Sequence, residues 1–439
     1  MHPPARVFSD ISTTRLCTLD NGLRLIVAEN PVVPAVAIGM WTDVGACDEP
    51  ADRRGIAHFL EHMMFRGSRH VGSEEHALTI ARMGGDCNAF TSPDATVYHE
   101  TVPPGDLDEV LRLEADRFQH LRLTSEHVEI ERRVILEELR VRENQPITRA
   151  VTRIREEIGR GHPYALEPLG RRGDIEEMSQ EDLELFYRAN YRPERLVIAI
   201  CGDVTDSVVL KLVERHFGSW RPSPAAPRPP VPAYEPASGT LSCRLPLEIP
   251  IAARIHRTQP LDQIDKPAID LIVALLSSGS SSPIREALVR RRRLCVEAGC
   301  VNMTGARGGM LVVFGAFLPP GRHRTRHAVM KELTGELAAA GPDPVRFARQ
   351  LKRFRKNRAQ DIYSCQRRMM GLGNAELLED GYHRYEEGLT ALADVSPERI
   401  RAAAAELLRP ENTLEVDITP ENNSWWTWPA GLLTKLWRR

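Results

Sequence analysis

The sequence predicts an α+β protein of two structurally similar domains, each an antiparallel-rich sheet packed with helices. A recurring segment is the first sign. Ser179–Glu194 (SQEDLELFYRANYRPE) aligns without gaps to Ser396–Glu411 (SPERIRAAAAELLRPE), with five identities in sixteen at one constant offset. Each copy opens with serine and an early glutamate ahead of a helical run, which is an N-terminal capping signal. Each closes with Arg-Pro-Glu before an apolar strand, Leu196–Cys201 or Thr413–Ile418. The second sign is the Pro-rich run Arg221–Pro232 near the middle of the chain. Proline lacks the backbone donor that a helix or central strand needs, so this run reads as a semi-rigid linker. The third is the alternation of long periodic helices with strands, which fits a sheet with helices on one face. The expected divisions are an N-terminal tail (1–12), a first domain (13–220), a linker (221–236), a second domain (237–420) and a C-terminal tail (421–439).

Taken in order, the first domain carries the chemistry. Residues Gly55 to Ser68 (GIAHFLEHMMFRGS) read as a buried helix that Gly67 can end. Inside it stands His58-x-x-Glu61-His62. Histidines four apart share one helix face and can hold one ion. Glu61 lies beside that face, within reach of a water on the metal. This is the reverse of the common zinc signature, with the glutamate as general base. Leaving Glu61 buried without a partner costs several kcal/mol, so the helix needs one, and a metal site supplies it. Catalytic zinc takes three protein ligands and keeps one position for water. The helical run Glu129–Arg140 offers carboxylates: Glu131 and Glu138 are seven apart and share a face, while Glu137 points elsewhere. Between these helices, Gly84–Ser92 leads into a strand that Asp94–Tyr98 continues.

Two segments, G-I-A-H-F-L-E-H-M-M-F-R-G-S (55–68) and E-R-R-V-I-L-E-E-L-R (131–140), resemble the pitrilysin family, which includes insulysin and the mitochondrial processing peptidase. Gly84–Ser92, His162-Pro163-Tyr164, Asp174-Ile175, Phe186-Tyr187 and Tyr191–Glu194 follow in the same order, and the resemblance covers about residues 13 to 420. It implies a zinc metalloendopeptidase with one Zn²⁺ per chain, held by His58, His62 and Glu138, with Glu61 as base. Glu131 would orient a ligand or the water. Asn88, Ala89, Phe90 and Thr91 would form a substrate-binding edge strand to which an extended peptide adds. The two domains would form half of a clamshell, and two such halves would enclose a chamber.

The second domain has lost this chemistry. Shifting the zinc motif by the offset of the repeat lands on Leu275–Gly279, which holds no ligand. Members of the family often carry an arginine and a tyrosine in this domain that contact substrate. In Leu288–Glu297 an arginine is present, taken as Arg290, but Val296 stands where the tyrosine is expected. The resemblance therefore implies the zinc-bearing subunit of a heterodimer whose homologous partner supplies the Arg/Tyr pair, or otherwise a homodimer. Its substrates would be short or unfolded peptides, for example precursor peptides. A second class is a non-catalytic assembly subunit of the same fold. The intact His58, Glu61, His62 and Glu138 argue against it.

Composition bounds the rest. With 58 basic and 60 acidic residues the net charge is −2, which gives no reason to expect a nucleic-acid partner. Apolar content of 42% and charged content of 27% are ordinary for a soluble globular protein. The eight cysteines include no C-x-x-C pair and read as free thiols in a reducing compartment. Met1–Arg6 has no apolar core of a signal peptide and no long apolar run follows, so the expected location is the cytoplasm, with no membrane association. Four of six tryptophans fall in Asn422–Arg439, a tail expected to dock on the chain's own surface or on a partner.

Overall fold

The structure, a computed structural model, describes residues 13–159, 161–221, 228, 231, 238–247, 249–279, 281–318, 323–390 and 395–421. The expected N-terminal tail, the C-terminal tail beyond Glu421 and most of the Pro-rich linker lie outside the described residues. The strands are β1 (Thr14–Thr18), β2 (Arg24–Glu29), β3 (Val36–Thr42), β4 (Asp86–Thr91), β5 (Thr96–Val102), β6 (Leu196–Gly202), β7 (Gly239–Leu245), β8 (Ile251–Thr258), β9 (Cys295–Gly305), β10 (Gly308–Phe317) and β11 (Thr413–Pro420). The first helices are α1 (Ile56–Met63), α2 (Glu75–Arg82), α3 (Leu107–His120), α4 (Ser125–Glu143), α5 (Pro146–Ile158), α6 (Arg172–Glu177), α7 (Gln180–Asn190) and α8 (Asp206–Phe217). Later come α9 (Lys266–Ser277), α10 (His323–Ala340), α11 (Pro344–Tyr363), α12 (Cys365–Leu378), α13 (His383–Thr390) and α14 (Pro397–Leu407).

There are two compact units, but they are not the two contiguous stretches expected. Among the described residues, the first unit takes those up to Arg140, Leu166–Val231 and Lys356–Thr390. The second takes Val141–Ala165 and the remainder. The chain passes from one unit to the other after Val231, inside the expected linker, but α5 groups with the second unit, and the end of α11 from Lys356 groups with α12 and α13 in the first.

The first unit holds a six-stranded sheet in the order β1-β2-β6-β3-β5-β4, antiparallel except where β2 runs parallel to β6. The central strand β6 (LVIAICG) is buried at every position. Such a run has no polar alternation because both of its faces are covered. Leu196, Ile198 and Ile200 point into one core with α1, α3 and α8, while Val197, Ala199 and Cys201 point into another with Met369 and Leu372 of α12. Helices thus cover both faces of the sheet, where one face was expected. Trp41 shows how closely α12 fits. Its indole N–H donates to Asn374 at 3.0 Å, and a Cβ on Gly373 would sit 2.5 Å from its ring.

The second unit repeats this pattern with five strands in the order β7-β11-β8-β10-β9, β7 running parallel to β11. The repeat read from sequence is real at the level of elements. Ser179 caps α7 through Asp182 N–H, and Ser396 caps α14 through Arg399 N–H, each helix leading to a strand of the parallel pair. α5 packs Ala150 and Ile154 against Ala253, Ile255 and Val416, so this sheet too is covered on a second face. Two local expectations are corrected. Asp94–Tyr98 does not continue β4. The chain turns at Ser92–Ala95, where the Ser92 hydroxyl bonds Ala95, and β5 returns antiparallel. α1 ends at Met63, and Gly67 lies beyond it at φ +113°.

Candidate metal centre

The centre is built on α1, whose start is unusually well held. Gly55 sits at φ +97°, a conformation other residues rarely adopt, and a Cβ there would meet the Leu169 carbonyl at 2.7 Å. Gly170, at φ +82°, crosses equally close to Arg54. The buried Glu49 carboxyl accepts from the N–H groups of Gly55 (3.0 Å) and Ala57 (3.1 Å), and Asp174 accepts from Arg54 N–H at 3.1 Å. These acceptors satisfy donors that the first turn of any helix leaves unpaired. α4 is fixed against α1 by Arg132, which donates to the carbonyls of Glu176 (3.1 Å) and Met178 (2.7 Å) and lies 5.9 Å from the Phe59 ring centroid.

The two helices bring His58, His62 and Glu138 together, with one candidate ligand atom from each within 4.8 Å of the others. Glu138 Oε2 is 3.8 Å from His58 Nε2 and 3.9 Å from His62 Nε2. Tetrahedral zinc with bonds of about 2.0–2.2 Å needs donor separations of roughly 3.3–3.5 Å, so a small inward shift suits the set to Zn²⁺. Glu131 makes the second half of the case. Its carboxylate is 2.8 Å from His62 Nδ1 and also pairs with Arg66. Burial pushes Glu131 upward, but the His62 hydrogen bond and the Arg66 charge outweigh it and hold it below the usual carboxylate range. The network thus assigns the His62 proton to Nδ1 and leaves the Nε2 lone pair for an ion.

Glu61 is buried beside the cluster, and its Oε2 accepts from the Thr91 hydroxyl at 2.5 Å. Burial raises its pKa, opposed by Thr91 and the His62 charge. Beneath it Tyr98 and Tyr191 join hydroxyl to hydroxyl at 2.7 Å. Asn88, Ala89, Phe90 and Thr91 fall on β4, the strand at the sheet's edge, with burial alternating along it. Glu137 is exposed and pairs with Arg140 at 2.7 Å. Arg290 lies in the second unit, largely exposed, 3.9 Å from Glu286. Sequence reasoning missed Glu49, Thr91's bond to Glu61, and Arg66. Only Arg66 left a local signal, four residues after His62 and just past the end of α1.

Fold and cluster define a class of protein: a two-unit α+β chain in which one unit carries a two-histidine, one-carboxylate metal-type centre with a glutamate beside it. Comparison with known proteins gives the particular family. The sequence model described as Insulinase (peptidase family M16) matches residues 24–170, and the one described as Peptidase M16 inactive domain matches 177–354. The chain belongs to peptidase family M16. An uncharacterized zinc protease of Mycobacterium leprae is 28% identical over 395 residues, covering 89% of this chain and 88% of that protein. The zinc protease PqqE of Helicobacter pylori is 30% identical over 292 residues, 65% of this chain and 66% of that one. The beta subunit of the mitochondrial-processing peptidase of Lentinula edodes is 30% identical over 271 residues, 62% and 55%. In fold, a protease structure from Helicobacter pylori matches with TM-score 0.88 at 23% identity, over 93% of this chain and all of that one (100%). The family is one of zinc proteases, and among the described residues no helix is long and apolar enough to cross a membrane.

Proposed function

We propose that this chain is a zinc-dependent endopeptidase for short or unfolded peptides, with His58, His62 and Glu138 holding the ion. The observation that carries this reading is the convergence of those three side chains from two helices, with the buried Glu61 carboxyl beside them. When bound, zinc supplies Lewis acidity toward the scissile carbonyl and makes water a nucleophile near neutral pH. Glu61, its pKa raised by burial, takes the proton from the attacking water and returns it to the leaving amine. Thr91 holds the Glu61 carboxyl in place at 2.5 Å, and Glu131 orients His62. The free edge of β4 offers backbone groups to an extended peptide, so that substrate and base meet along one strand.

In this reading the chain is the zinc-bearing subunit of a heterodimer. The support is in the second unit: its inactive-domain match, its lack of a tyrosine at Val296, and the exposed position of Arg290. The test is to assay the zinc-loaded chain alone on a mixed peptide library, with Glu61→Gln as blank. Cleavage that disappears in Glu61→Gln establishes the peptidase and removes the need for a partner. Bound zinc without cleavage points to an obligate partner, to be sought by co-purification. Failure to bind zinc sinks the proposal.

A further inference from the structure

The two units correspond beyond their strand order. The start of α11 at Pro344 follows the start of α4 at Ser125 by the same interval that separates the start of α12 at Cys365 from that of α5 at Pro146. In this register the inward residues of α4 fall on inward residues of α11: Val128 on Phe347, Ile135 on Phe354, and the buried Glu131 on the buried Gln350. Glu138 falls on Asn357. Gln350 donates to the Ser278 carbonyl at 3.2 Å, and the Arg353 guanidinium lies against Gly279. Ser278 and Gly279 belong to the segment that corresponds to the zinc motif. The second unit has therefore kept the helix that carries the carboxylates and exchanged its acids for amides and cations.

The same helix presents a cationic outer face. The twenty residues of α11 include seven basic and one acidic, whereas the nineteen of α4 include four basic and six acidic. At about 100° per residue, Arg346, Arg349, Lys352 and Arg353 lie within one arc of roughly 120°. That arc faces away from Phe347, Leu351 and Phe354, which pack on the second unit's core. Arg349, Lys352 and Arg353 are exposed, and Arg346 is half-buried. The single acid of the helix, Asp361, is taken up by Arg358 (4.0 Å) and Arg367 (3.1 Å). Among the described residues no carboxylate forms an ion pair with the side chain of any of the four, and Asp343 accepts only from the backbone N–H of Arg346 at 2.8 Å. Like charges at i,i+3 and i,i+4 destabilise a helix, and a bound anion relieves that repulsion.

We propose that this face of α11 is a docking surface for acidic stretches of the polypeptides the enzyme handles. It rests on the peptidase reading above and deepens it by naming a substrate class. Arginine forks match carboxylates two bonds at a time. From Arg346 to Arg353 the helix rises about 10.5 Å, the length of three to four extended residues at ~3.3 Å each, so acidic side chains on alternate positions meet the arc. The other polyanions fit less well. Phe347, Leu351 and Phe354 of α11 pack on the core, and the exposed Val345 and Tyr363 lie about 27 Å apart along the helix, leaving no continuous apolar face for a bilayer. Between Arg346 and Arg353 the arc has no aromatic side chain on which a base stacks, the exposed Tyr363 lying about 15 Å farther along, and the chain as a whole has a net charge of −2.

The experiment measures fluorescence anisotropy of a labelled peptide with glutamate at alternate positions, and of its glutamine counterpart, on the full chain. Salt is varied between about 50 and 200 mM. The glutamate peptide is expected to bind roughly tenfold tighter, the preference shrinking with salt. Combining Arg349→Glu, Lys352→Glu and Arg353→Glu abolishes that preference while zinc affinity, read by competition with a chelator, is unchanged. The milder set Arg349→Gln, Lys352→Gln and Arg353→Gln, checked by circular dichroism, lowers it partway. Equal binding of the two peptides, or a preference that survives the glutamate substitutions, overturns the proposal. So does preferential capture of anionic vesicles, of an oligonucleotide, or of a second copy of the chain by this face. Binding is read without turnover, so a chain that prefers the acidic peptide but binds no zinc refutes the peptidase reading alone.

Discussion

At the scale of single residues, the centre is a set of carboxyl groups with separate duties. Glu138 faces the histidines, Glu61 stands beside them, Glu131 holds His62, and Glu49 caps the helix beneath. Glu131→Gln keeps a hydrogen-bonding partner for His62 but removes the charge. Zinc affinity, read by competition with a chelator, is expected to fall about 10–100-fold with the fold unchanged; unchanged affinity would deny Glu131 its orienting role. Glu49 gives a pH prediction. Burial, over the opposing Gly55 and Ala57 donors, pushes its pKa from 4.5 to about 8. The unfolded chain therefore releases this proton at lower pH than the folded one does. Glu49 makes folding stability decline as pH rises from 4.5 to about 8, by at most about 1.4 kcal/mol per unit. Glu49→Gln removes the titration, so its melting temperature should drop less over that window. An equally steep decline in the variant would refute the assignment. His58, Glu61 and His62 were legible from their spacing on one helix, and Glu131 and Glu138 from the family resemblance of residues 131–140. Glu49 and Thr91 were not, since only tertiary packing brings a loop and an edge strand to α1.

At the scale of elements, the entry to α1 depends on two glycines that pass within contact distance of each other's backbones. Gly170→Ala adds a methyl group against Arg54 at a positive φ. A loss of more than about 1 kcal/mol in denaturant unfolding is expected, with weakened zinc binding because the first turn of α1 shifts. Full stability in Gly170→Ala would show that the segment around it yields freely. α7 was readable from its own residues, since Ser179 and Asp182 form a reciprocal cap only three positions apart. The turn between β4 and β5 was missed. Ser92-Pro93-Asp94 does offer turn residues, but a strand continued from β4 through Asp94–Tyr98 passes over them; the turn is held by the Ser92 hydroxyl.

At the scale of the whole molecule, the two halves of the repeat were visible in the constant offset between Ser179–Glu194 and Ser396–Glu411, but the membership of α5, α12 and α13 was not. An amphipathic helix records that it has an apolar face and not which sheet that face will cover. Ile26, Ala37, Trp41 and Val197 are all buried under α12 and its neighbours. A fragment ending at Trp220 is therefore expected to aggregate or bind a hydrophobic dye, and a peptide spanning residues 356–390 added in trans should reduce both effects. A soluble fragment that melts cooperatively without it would contradict the exchange.

The exchange also sets a schedule. A ribosome adds about 5–20 residues per second, so roughly 10–30 s separate the emergence of Trp220 from that of Thr390. For that interval the nascent first sheet waits with one apolar face open, its missing cover not yet translated. A first unit that carries the candidate metal centre therefore matures only after most of the second unit has been made. Slow translation over 220–390 or scarce chaperone should lower the yield of the folded first unit before that of the second.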